Sequence, residues 1–112
     1  MLNTSYVVPN ANGDLVLDAA DEVTEWIEAM SFDPKSIQLV GVSAASAGVT
    51  LEGTNRDDPS TESAPDPIGA EITADDIVVI DDGPRWIRAN LTTEGTSPSV
   101  TLIFAGHKRA GG

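Results

Sequence analysis

The chain has no cysteine, a single histidine, two lysines and only 4% aromatic residues. Without cysteine there can be no disulfide, no thiolate metal centre and no cysteine nucleophile. His107 stands alone beside Lys108 and Arg109 in a polar, glycine-rich stretch. A two-histidine metal site is therefore excluded, and a Ser-His-Asp triad would need this residue in a rigid cleft. The G-x-S-x-G and H-E-x-x-H motifs are missing, as is a phosphate-cradling glycine loop, so no enzymatic activity is expected. No apolar run approaches the roughly 20 residues a membrane-spanning helix needs. Met1 is followed by neither a basic region nor an apolar core, so no secretory leader is expected.

Positive charge is scarce as well: 6 basic residues face 18 acidic ones, for a net charge of −12. Nucleic acid and anionic membranes are poor partners for such a surface. A chain this acidic repels itself at low ionic strength, and the cost fades as the Debye length shrinks to about 3 Å near 1 M salt. The composition suits a halophilic protein, and it equally suits an ordinary acidic soluble one. Loss of cooperative folding on removing salt separates the two.

What is present is a pattern of alternation. The 112 residues, 40% of them hydrophobic, read as one domain over 1–112 that can bury about two-thirds of its unfolded surface. In Ser36 to Asn55, Ile37 and Leu39 share one parity, as do Val49 and Leu51, while Gln38, Thr50 and Glu52 point the other way. Period two is the mark of a half-buried strand. The small residues of Val42 to Gly48 suggest a loose hairpin loop joining the two arms. Asp14 to Asp18 is too short for a stable helix and reads as an edge strand. The β-branched run Ile77 to Ile80 reads as a strand, and so do Arg85 to Thr92, with Ile87, Ala89 and Leu91 on one face, and Ser99 to Ala105, with Val100, Leu102 and Phe104 together. In Asp21 to Phe32, Val23, Trp26, Ile27 and Met30 fall at helical spacing, and local pattern favours an amphipathic helix over a strand, with Trp26 in the core. Asp33-Pro34 ends the segment in either case. Residues 1–13, with Tyr6, Val7 and Val8, form a candidate N-terminal arm. Residues 56–69 form a long acidic, proline-rich loop, and 107–112 a flexible tail. Roughly six to eight short strands with regular turns predict an all-β fold, an antiparallel β-sandwich or jelly-roll-like barrel.

Two sets of residues invite a functional reading. The pairs Asp57-Asp58, Asp75-Asp76 and Asp81-Asp82 could supply oxygen ligands to a hard cation such as Ca or Mg if their loops met at one end of the sandwich. None has alternating D-x-D-x-D-G spacing, and acidic pairs at strand ends are usually solvated; Asp57, Asp58, Asp81 and Asp82 are the candidate ligands. Trp86, by parity, lies with Arg88 on the face opposite Ile87. Trp and Arg are common interface anchors, which makes Arg85, Trp86 and Arg88 candidate contact residues, with Tyr6, Val7 and Val8 of the arm able to add to an exposed strand edge.

The segments S-I-Q-L-V-G (36–41), V-T-L-E-G-T-N (49–55), R-W-I-R (85–88) and V-T-L-I-F (100–104) together resemble small β-sandwich virion proteins of tailed viruses, over roughly residues 22 to 106. The proline- and acid-rich loop after Asn55 departs from that pattern. The resemblance implies a non-enzymatic viral structural protein, most plausibly a capsid decoration protein on the shell exterior, that forms homo-oligomers and contacts capsid or tail proteins. It implies that Glu22 to Ile27 is a strand. Joined to the acidic composition it implies a tailed virus of a salt-loving host such as a haloarchaeon. The alternative is a receptor- or glycan-binding module of a tail, fibre or turret, which requires exposed aromatics around a loop-end pocket and Trp86 free in solution.

Overall fold

The computed structural model describes residues 15–19, 21–80 and 83–108. The candidate arm with Tyr6, Val7 and Val8, the pair Asp81-Asp82 and residues 109–112 lie outside the described residues.

Two four-stranded antiparallel sheets face each other. Sheet I is ordered β1 (Leu15–Leu17), β8 (Val100–Lys108), β3 (Phe32–Val40), β6 (Asp76–Val79). Sheet II is ordered β2 (Ile27–Glu28), β7 (Trp86–Thr93), β4 (Gly48–Thr54), β5 (Asp66–Pro67). The chain is an all-β sandwich, with a four-residue helix α1 (Val42–Ala45) and a 3-10 turn at Pro59–Thr61 as its helical pieces among the described residues. No helix among them is long and apolar enough to cross a membrane.

The core is the inward half of each alternation. Ile37 and Leu39 of β3, Val49 and Leu51 of β4, Ile87, Ala89 and Leu91 of β7, and Val100 and Leu102 of β8 are completely buried. Phe104 packs against this core from its rim and meets Phe32 edge to face, centroids 5.3 Å apart. Burying one such aliphatic side chain contributes about 1.5–3 kcal/mol.

Three expectations are corrected. First, β3 and β4 do not form a hairpin. β3 pairs with β6 and β8, whereas β4 pairs with β5 and β7. The stretch between them is an arch that carries the chain from one sheet to the other. Gly41, at φ 94°, breaks β3, α1 turns once, and Val42, Ala45 and Ala47 plug the end of the core. Alternation marks a strand's buried face but is the same for a hairpin and an arch. Second, Asp21 to Phe32 is not helical. Its backbone bonds run to β7: Asp21 N donates to Leu91 O, Thr24 N to Ala89 O, and Leu91 N to Glu22 O. Val23 forms an isolated bridge with Asn90, and Ile27–Glu28 and the final Phe32, which opens β3, are regular strand. Thr24, Ile27 and Ala29 are buried, while Val23 and Met30 of the supposed stripe are exposed. Third, Trp26 is half-buried on the outer side of sheet II instead of lying in the core. β8 also runs on to Lys108, three residues beyond the predicted strand.

Candidate interaction surfaces

Each sheet turns one face inward and leaves one outside, and the two outer faces differ in chemistry. On sheet II, the outward residues of β4 and β7 form a polar ladder. The Arg88 guanidinium donates through Nε to Glu52 Oε1 at 2.9 Å and lies 4.5 Å from the centre of the Trp26 ring. Asn90 Nδ2 donates to Glu52 Oε2 at 3.0 Å. One carboxylate thus holds two donors, and both its neighbours are mostly sheltered from water. Farther along, the Thr92 and Thr93 hydroxyls both donate to Glu71 Oε2, at 2.6 and 2.7 Å. These two bonds hold the Glu71 carboxyl below the usual carboxylate range.

The loop after β4 is tied to this sheet at several points. Arg85 pairs with Asp57, and Arg85 N donates to the Asn55 side chain. Trp86 Nε1 donates to Arg56 O at 3.1 Å. Thr54 Oγ1 donates to Glu62 Oε1 at 2.7 Å, and Arg56 Nε reaches the same oxygen at 3.3 Å. Asp58 closes the 3-10 turn by accepting from the backbone and hydroxyl of Ser60. These hydrogen bonds lower the Asp58 and Glu62 carboxyls, the largest cause being Ser60 for the first and Thr54 for the second. Between loop and sheet lies an open hollow of about 540 Å³ edged by Thr54, Arg56, Glu62, Asp66, Ile68 and Pro84, with no aromatic side chain in its lining.

The candidate contact residues Arg85, Trp86 and Arg88 therefore sit together on sheet II, each with a partner inside the chain. Of the candidate cation ligands, Asp57 faces Arg85 and Asp58 faces Ser60. Among the described residues no three carboxylate or histidine side chains converge on one point. Asp75, from the pair that precedes β6, caps α1 instead: its Oδ1 accepts from the Val42 and Ser43 amides at 2.8 and 3.0 Å. Those amides, with Ser43 leading, lower its carboxyl.

The outer face of sheet I carries none of this. Strand register sets nine outward residues in three rows: Val16, Thr101 and Val40; then Ile103, Gln38 and Ile77; then Ala105, Ser36 and Val79. Not one is charged. Val16, Val40, Ile77 and Val79 are among the most exposed large apolar side chains, Val79 at 63%. The last row runs into a shallow hollow of about 350 Å³ edged by Pro34, Lys35, Ser36, Val79, Ala105 and Gly106. The sequence reading passed over this face. Its signal was available: Gln38 and Val40, Ile77 and Val79, and Thr101, Ile103 and Ala105 are the off-parity residues of three strands, and all are uncharged in a chain with 18 acids.

Comparison with known proteins finds no matching family model, no matching curated protein and no matching solved structure.

Proposed function

We propose that the chain is a non-enzymatic structural protein of a virion, decorating or stabilising the capsid exterior of a tailed virus whose host lives in high salt. The observation that carries this reading is the fastened loop at residues 56–69. A long acidic, proline-rich segment would ordinarily sample many conformations, and ordering it on contact would cost affinity. Here Arg85, Trp86, Thr54 and Ser60 hold it in one form beforehand. A preformed loop suits repeated contact with neighbouring shell subunits, where function lies in surface complementarity. The resemblance of residues 36–55 and 85–104 to small virion sandwiches supports the setting, and the net charge of −12 supports the saline host.

The receptor- or glycan-binding alternative is less well supported, because the loop-end hollow lacks an aromatic platform and the Trp86 indole N–H is engaged by Arg56 O. The test is the copy number of this polypeptide in purified particles by quantitative mass spectrometry. Hundreds of copies per particle support a shell role, a handful moves it to the tail, and absence overturns the reading.

A further inference from the structure

We infer that the outer face of sheet I pairs with the same face of a second copy of this chain, around a twofold axis that passes over Gln38. This goes beyond the proposed virion role and does not depend on it.

The first ground is where charge is absent. The chain carries 18 acidic residues, and the outward positions of sheet II include Glu52 and Arg88. The nine outward positions of sheet I hold only Val, Ile, Ala, Ser, Thr and Gln. In a contact between identical copies, each group near the axis meets itself. A carboxylate there would face a carboxylate, which is costly, and none is present. Asp75, just beyond the face, turns its carboxylate to the Val42 and Ser43 amides.

The second ground is the type of polar group that remains. Ser36, Gln38 and Thr101 each carry both a donor and an acceptor, and Gln38, on the axis, can bond to its own copy. Gln38 lies in the middle row with Ile103 and Ile77 on either side. A basic or acidic partner would find nothing on this face to pair with, whereas a copy of the face supplies matching apolar rows and matching amides.

Size sets the strength of the pairing. Nine positions spaced about 6.7 Å along strands that lie about 4.8 Å apart make roughly 300 Å² of flat surface. As one side of an interface, that lies below the roughly 600–1,000 Å² per partner of stable specific contacts, so the pairing is a weak one. The pairing should therefore depend on concentration. It should also strengthen with salt, because two bodies of charge −12 repel until the Debye length shortens.

The experiment is sedimentation of the purified full chain at about 0.1 M and about 1 M KCl. The expected result is a concentration-dependent doubling of mass, more complete at the higher salt. Gln38→Glu and Gln38→Lys should each weaken association by more than about tenfold, and an equimolar mixture of the two should restore it, because opposite charges then meet at the axis. Ser63→Glu, a charge added in the loop, should leave association as it was, and unchanged circular dichroism confirms that each variant folds. A wild-type chain that stays monomeric in both salts, as it would if its own residues 1–14 covered the face, overturns the proposal. So does a mixture that fails to recover association lost in the single variants. Particle composition is measured separately, so the virion reading and this pairing can fail independently.

Discussion

The inner faces of the two sheets are alike and the outer faces are not. Inside, both sheets present Ile, Leu and Val at complete burial, Ile37 and Leu39 from β3 against Leu51 and Ile87 from β4 and β7. Outside, sheet II is cross-linked by side chains and fastened to a loop, while the nine outward residues described on sheet I are uncharged and mostly apolar. The inward side is governed by exclusion of water, which asks only for volume and apolarity. The outward side is free to differ, and there the difference marks division of labour: sheet II spends its polar groups on holding its own chain in place, and sheet I keeps its surface available.

That contrast can be broken from the inside out. Leu39→Ala and Leu51→Ala, one in each sheet, should each lower unfolding free energy by about 2–5 kcal/mol in denaturant titration. Unequal costs would mean the inner faces are not equivalent. Glu52→Leu, which strips Arg88 and Asn90 of their shared acceptor, should cost about 1–3 kcal/mol. Trp86→Phe removes the bond to Arg56 O and should cost about 1 kcal/mol or less. Its clearer sign is faster proteolytic cleavage within residues 56–69. Val79→Thr on the outer face of sheet I should change stability by no more than about 0.5 kcal/mol. A large loss there would mean that the face is already covered within the monomer.

Acid should act first where hydrogen bonds hold carboxyls low. Asp58, Glu62 and Glu71 belong to the loop and to sheet II, and Asp75 caps the arch beside β6. A carboxyl lowered by folding stabilises the fold above its unfolded pKa. That contribution is lost as pH falls through the folded value. Protection of the Ser60 and Ala64 amides, which donate to Asp58 and Glu62, measured against the intrinsic exchange rate at each pH, should therefore hold above about pH 4.5 and fall below it. The sheet I ladder from Ser36 to Leu39 should keep its protection over the same range.

Period-two alternation alone made Ile37, Leu39, Val49, Leu51, Ile87, Ala89, Leu91, Val100 and Leu102 legible as core, because a pleated strand has two sides and water sorts residues between them. The edge position of β1 was legible too, from its shortness, whereas strand β5 (Asp66–Pro67), inside the segment read as loop, was not. Composition also excluded thiol chemistry, since the chain has no cysteine.

Which strand lies beside which was decided in three dimensions. β3 and β4 are neighbours in sequence and belong to different sheets, because pairing depends on backbone hydrogen bonds that every residue can make and no side chain announces. Tertiary contact likewise overrode helical spacing in Asp21 to Phe32: the free edge of β7 offered Ala89 and Leu91 carbonyls, and taking them was worth more than an isolated helical turn. It alone brought Arg85, Trp86 and Asp57 together from positions some thirty residues apart. It alone also set Gln38, Ile77 and Ile103 in one row, since an uncharged residue becomes part of a face only when its neighbours across the sheet are known.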